Sequence, residues 1–213
     1  MKMKVTTFRI KNPKFEALGN PVYGARKAIY DVPTLPAYAI IDSRLEMIDW
    51  VHNDIGYSPP RYELLENTVS TPATLTHDFG DSSGILTIYH NGIKDYELLF
   101  PHVEMSSLRT RLGQFAEEAD KAFESQSWIS YCLMVGSVVE GLLYNQLGDK
   151  NFFNLITAAH EGGIITDEEF TLMDNIRKTR NKIHAGKHEE SIANRTTALE
   201  LSTVYDKFIK RNW

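Results

Sequence analysis

The sequence predicts an α+β protein: a small, partly β N-terminal domain followed by a C-terminal all-α helical bundle. Three observations lead there. Seven of the eight prolines precede Pro101 and none occurs from Ser106 onward, so long helices are opposed in the first half and unopposed in the second. The first half also breaks into short apolar runs punctuated by Gly, Pro and Asn. The second half instead sets apolar residues at helical spacing, with glycines at the stops. The change falls close to Phe100-Pro101, giving domains 1–101 and 102–213.

In chain order, Val5 to Ile10 is the first strand candidate and Ala37 to Ile41 the second, each a short apolar or β-branched run. Ser43 is placed to cap a helix through Ile55, with Ile48, Val51 and Ile55 spaced for one face. Asn12 to Pro36 and Tyr57 to Ser83 read as loop-rich, punctuated by Pro59-Pro60 and by the glycines of Gly80 to Gly84. The strongest local signal is a hairpin. Ile85-Leu-Thr-Ile-Tyr89 and Ile93 to Phe100 flank His90-Asn91-Gly92, and an Asn-Gly pair takes the positive φ angles of a tight type I′ turn.

Five helices follow, at about Ser106 to Ser125, Ser127 to Leu147, Asn151 to Glu161, Thr166 to Ala185 and Ser191 to Lys210. Gly148, Gly162-Gly163 and Gly186 supply their C-terminal stops. Trp128 to Leu147 is apolar nearly all round, yet it contains Ser130, Ser137, Glu140, Asn145 and Gln146. A mid-span carboxylate and amides oppose a membrane reading, so a buried central helix and no membrane are expected.

With 213 residues, 42% hydrophobic and 24% charged, the chain has the composition of an ordinary globular protein. Its net charge of -5 argues against broad coating of nucleic acid, so any phosphate contact must be local. Cys132 is the single cysteine, which excludes an intramolecular disulfide, and Met1-Lys-Met-Lys-Val-Thr-Thr lacks the apolar core of a signal peptide. A cytoplasmic location is the resulting expectation. No cofactor is expected, since there is no phosphate-cradling glycine loop and no Gly-x-Ser-x-Gly nucleophile turn. No metal is expected either: His184 and His188 lack a partner set of known spacing. His77, His90, His102 and His160 read as surface or hydrogen-bonded histidines.

The most informative stretch is Ile176-Arg-Lys-Thr-Arg-Asn-Lys-Ile-His-Ala-Gly186. Thr166-Asp-Glu-Glu169 reads as the capping box that starts its helix. Leu172, Ile176, Thr179 and Ile183 then form an apolar stripe, with Arg177, Asn181 and His184 as a neighbouring polar stripe and Arg180 beside it. Cations in the last turns of a helix are also favoured by its negative end, which is a purely structural explanation of the same residues.

Arg177-Lys-Thr-Arg-Asn-Lys-Ile-His184 resembles the signature of the HEPN superfamily, an arginine followed after four to six residues by a histidine. Six residues lie between Arg177 and His184, within that range. Arg180-Asn181 looks like the family's arginine and polar pair, but only three residues separate Arg180 from His184, so either arginine can hold the motif role. The likeness covers roughly Ser106 to Lys210. It implies a HEPN-like helical bundle that forms a homodimer through the bundle, with a composite Arg/His site. It further implies a metal-independent endoribonuclease or RNA-binding protein of bacterial defence or toxin systems, although other family members are inactive or bind nucleotides.

His184 is the residue type suited to general acid or base work near neutrality. Arg177 or Arg180 can hold a phosphate bidentately and offset developing charge. Asn181 can orient either group. Glu140, a carboxylate in an apolar helix, is expected to pair with Arg177 or Arg180 and support the site. Residues 1–101 are left to select a partner or substrate. The alternative is a non-catalytic dimerisation or protein-interaction module, and a further one a sensor of nucleotide phosphate.

Overall fold

A computed structural model describes residues 3–17, 26–49, 54–57, 61–73, 83–211 and 213. The architecture is α+β: antiparallel sheets in the N-terminal part and five helices in the C-terminal part. The chain divides into two compact units, Met1–Asp95 and Tyr96–Trp213. Pro59-Pro60, His77 and Gly80 lie outside the described residues.

The first unit contains strands β1 (Lys4–Lys11), β2 (Lys14–Ala17), β3 (Arg26–Asp31), β4 (Tyr38–Asp49), β5 (Asp54–Tyr57), β6 (Glu63–Leu65), β7 (Thr68–Ala73) and β8 (Ser83–Ile93). They form two four-stranded sheets of order β1-β8-β4-β5 and β2-β3-β7-β6, and every pairing is antiparallel. Alternation explains the burial: Phe8 and Ile10 of β1, Ala28 and Tyr30 of β3, Leu45 and Met47 of β4, and Leu86 and Ile88 of β8 are buried at every second position. Val5 to Ile10 is therefore a strand as expected, and the Ala37 to Ile41 strand runs on to Asp49.

Three expectations are corrected in this unit. The Asn91-Gly92 hairpin does not form: β8 runs straight through the pair to Ile93. Pairing of β8 on both edges, to β1 and to β4, overrides the local turn signal, and His90 adds to it. His90 Nδ1 lies 3.1 Å from both the N–H and the carbonyl oxygen of Gly92, and its Nε2 shares a hydrogen bond of 3.0 Å with Thr6 Oγ1 of β1. β4 partners shift from Ile93 to His90 and then to Tyr89, so the extra residues are absorbed as compensating bulges. Gly92 supplies the φ of 123° that this irregularity needs.

The helix from Ser43 also fails, because 43–49 is strand; its residues 50–53 lie outside the described residues. Pairing of Ser43 to Met47 with β8 and burial of Leu45 and Met47 on one face override the helical spacing. Finally, the loop-rich stretches hold four strands, β2, β3, β6 and β7. Pro72 lies in β7 opposite Lys27 of β3 and beyond the last β6 pair, Glu63 with Ser70.

The second unit contains α1 (Ser106–Glu124), α2 (Trp128–Leu147), α3 (Phe152–Glu161), α4 (Asp167–Asn181) and α5 (Arg195–Ile209). Tyr96 to Phe100 belong with it, ahead of the Phe100-Pro101 boundary read from composition. Tyr96 Oη donates to Asp120 Oδ2 of α1 at 2.9 Å, and the turn Glu97–Leu99 lies against Gly113, where an added Cβ would meet Glu97 at 3.1 Å. α2 packs against each of the other four helices, as its apolar character predicts. Among the described residues, no helix is long and apolar enough to cross a membrane.

The helix ends follow local chemistry. Asn151 and Asn194 cap α3 and α5 through their side chains, and Gly148 and Gly163 carry positive φ at the stops of α2 and α3. The Thr166/Glu169 capping box starts α4 as expected. α5 begins at Arg195 instead of Ser191, where the Asn194 cap stands. Glu169, only 6% exposed, also receives Arg211 and Lys207, so the end of the chain is clasped onto the start of α4.

Two predictions follow from these contacts. A Cβ on Gly84 would lie 2.7 Å from the Glu46 carbonyl oxygen, and that backbone is held in the paired β4. Gly84→Ala is expected to destabilise the β unit by about 1–3 kcal/mol; unchanged amide exchange at Leu86 and Ile88 would refute the close approach. Burial opposes the charge of Glu169, but the Thr166 amide and the cations Arg211 and Lys207 outweigh it and hold the carboxyl below its ordinary value. Its stabilisation is therefore complete above about pH 4.3 and lost as pH falls through the lowered folded value. Glu169→Gln should melt lower at neutral pH and lose less stability on acidification than the native chain; parallel pH curves would contradict this.

Candidate functional site

The candidate site is built where α4 meets α2. Gly136 and Glu140 are one turn apart on α2; Ile176 and Arg180 are one turn apart on α4. With no side chain at Gly136, α4 comes close: an added Cβ there would lie 3.3 Å from Ile176 Cγ2 and 3.4 Å from Arg180 Cδ. Ile176 is fully buried in this contact layer. One turn further, Arg180 Nη1 donates to Glu140 Oε2 in an ion pair. The two side chains keep 34% and 29% exposure, so the pair sits at the margin of the bundle and not in its interior. Of the two arginines open to Glu140, Arg180 is the one that meets it.

Arg177 makes a different set of contacts. Its Nε donates to Asp174 Oδ1 at 2.8 Å, with Nη2 at 2.7 Å from the same oxygen, while Lys178 Nζ lies 2.7 Å from Oδ2. Burial opposes the charge of Asp174, but hydrogen bonds from Lys178 and Arg177 prevail and hold its carboxyl below the ordinary range. The Arg177 guanidinium carbon lies 5.2 Å from the Phe153 ring centroid, and that of Arg180 5.9 Å from the centroid of Phe152, both at the start of α3. Asp174, Phe152, Phe153 and Gly136 are absent from the residues picked by sequence. Asp174 was legible as the acid three residues before Arg177 and four before Lys178. The two phenylalanines offered no such signal, because only tertiary packing brings α3 beside α4.

His184 is not on the helix with the arginines. α4 ends at Asn181, four residues short of the expected end, and Gly186 is not its stop. The amides of Lys182 and His184 turn back to the carbonyls of Thr179 and Asn181, the tighter pattern that closes helices. The apolar stripe weakens at this point, where Ile183 is 49% exposed. The expected stripe of Leu172, Ile176, Thr179 and Ile183 is therefore corrected to one centred on the buried Met173 and Ile176. The polar stripe of Arg177, Asn181 and His184 is likewise interrupted after Asn181.

His184 is exposed, in extended conformation before the turn Ala185–Lys187, and its imidazole makes no hydrogen bond among the described residues. The half-buried Asn181 closes α4 and accepts the His184 amide through its backbone oxygen. The structure thus joins Arg180 to Glu140 and Arg177 to Asp174, while His184 stands outside both pairs. From Arg177 to Lys187 the chain carries Arg177, Lys178, Arg180, Lys182 and Lys187 with no acid between them. Lys182 donates to the Ser191 carbonyl oxygen at 3.1 Å and lies within electrostatic reach of Glu190. Among the described residues no three His, Cys, Asp or Glu side chains gather as a metal set.

Compared with models of known protein families, with curated proteins and with solved structures, the chain matches none.

The Glu140–Arg180 pair can be weighed by a double-mutant cycle. Glu140→Ala and Arg180→Ala are each expected to lower urea stability, and the double variant to lose less than their sum by about 0.5–1 kcal/mol, the range for a partly exposed pair. Strict additivity would mean that the contact contributes nothing to the α2–α4 packing.

Proposed function

We propose that the end of α4 is an RNA-phosphate site in a metal-independent endoribonuclease of the HEPN type, acting as a homodimer. The observation that carries this reading is the setting of Arg180. Glu140 fixes one edge of its guanidinium while a third of the side chain stays in water, within a sequence run of five cations, four of which meet carboxylates contributed from outside the run. A guanidinium positioned in this way is prepared to take a phosphate oxygen with little further ordering. The exposed His184 imidazole supplies the acid or base for transfer of the 2′-hydroxyl proton. Because His184 leaves the helix that carries Arg177 and Arg180, the reading assigns completion of the site to a second chain, whose motif supplies the other acid or base. Arg177 helps to offset charge at the phosphorus, Asn181 orients the phosphate or the imidazole, and residues 1–101 select the substrate or a protein partner in the cytoplasm.

A second reading has its own observation. Both arginines already spend hydrogen bonds on carboxylates of their own chain, Asp174 and Glu140. That arrangement suits a bundle in which the motif is structural and the protein serves as a dimerisation or interaction module.

Incubation with total RNA in EDTA separates the two. The nuclease reading expects cleavage that falls by about 100-fold or more in His184→Ala, with a comparable loss in Arg180→Ala, and a dimer in sedimentation. RNA that stays intact with the native chain, or is cut equally by His184→Ala, would leave the structural reading.

A further inference from the structure

Phe153 is half exposed, at 50%, although its neighbour Phe152 in α3 is buried at 6%. Single apolar residues on a surface are ordinary, but this ring is not isolated. The Arg177 guanidinium lies 5.2 Å from its centroid, and Asp174 pins that guanidinium from Nε and Nη2, leaving it a fixed group. An aromatic ring carrying a fixed cation on one side, with much of the residue still in water, thus borders the cationic run from Arg177 to Lys187, in which Arg177, Lys178, Arg180 and Lys187 each meet a carboxylate and Lys182 a backbone carbonyl. We propose that Phe153 is a stacking platform for an unpaired base of single-stranded RNA, with Arg177 neutralising a phosphate next to that base.

The chemistry favours this occupant. Every base has a π-face, so an exposed ring beside backbone-binding cations holds a single strand without demanding a sequence. Unstacked bases of single-stranded RNA commonly rest on aromatic side chains and arginine planes in this way. The Asp174 bond holds the guanidinium without consuming all five of its donors, so Arg177 retains capacity for a phosphate oxygen. The inference rests on the RNA reading given above and deepens it by naming a single-stranded substrate and the residue that contacts its base.

The test uses the full chain, a short labelled single-stranded RNA methylated at its 2′-oxygens so that it cannot be cut, and the same strand bearing abasic sites. Anisotropy should show Phe153→Ala binding the base-bearing strand about ten-fold more weakly than the native chain. Its binding to the abasic strand should be unchanged, and Phe153→Tyr should restore the preference for bases. An unaltered melting temperature in Phe153→Ala would show that the loss is local. Equal affinity of Phe153→Ala and the native chain for the base-bearing strand overturns the platform alone, provided Arg180→Ala still weakens binding. A native chain that binds neither strand overturns the RNA reading and the platform together. If Phe153→Ala instead dissociates the dimer while RNA affinity holds, the ring is a contact between copies of the chain and the proposal fails.

Discussion

A carboxylate placed on an apolar central helix has to be neutralised where it stands, and much of the helical unit is arranged around how Glu140 achieves this. α2 packs against all four other helices, and Glu140 stands at the margin of that packing with 29% of its side chain exposed. Gly136, one turn earlier, removes the side chain that would hold α4 away, and Ile176 fills the space. Arg180 then arrives opposite Glu140 through the same helical repeat. Packing and charge pairing share one register, and a slip of α4 along α2 would lose both. The clasp of Arg211 and Lys207 on Glu169 ties down the other end of α4.

The β unit obeys a comparable constraint in its central strand. β8 is paired on both edges, to β1 and to β4, and a strand with two partners cannot fold back where a local turn signal invites it. His90 makes the continuation favourable: it links β1 through Thr6, holds the Gly92 amide, and meets Tyr38 edge-on with ring centroids 4.9 Å apart. A buried imidazole with both nitrogens engaged is a structural element here.

At the end of α4 the same residues serve two purposes that compete. Ion pairs with Asp174 and Glu140 stabilise the bundle and also orient two guanidinium groups at its surface. Intramolecular pairing subtracts from the field offered to a polyanion, but it lowers the ordering needed on binding. The balance between these effects separates a phosphate site from a purely structural cluster. The exposed imidazole after the helix end belongs to the chemistry only if another chain brings it to an arginine.

Much of the helical half was legible in the sequence, because caps, glycine stops and 3.6-residue spacing act over a few neighbouring residues. The Thr166 capping box, the Asn151 cap, the Gly148 stop and the central position of α2 were all readable, as was the need of Glu140 for a cationic partner. The β half was less legible, since strand pairing is non-local. Asn91-Gly92 and Ser43 carried local signals for a hairpin and a helix, which two-sided pairing of β8 overrode. The same limit applies to the site. The sequence determined which cations and which imidazole lie near one another along the chain. Only tertiary packing decided that Arg180 and not Arg177 meets Glu140, that Phe153 lies under Arg177, and that α4 stops before His184, because a helix persists only as far as it has a face to bury.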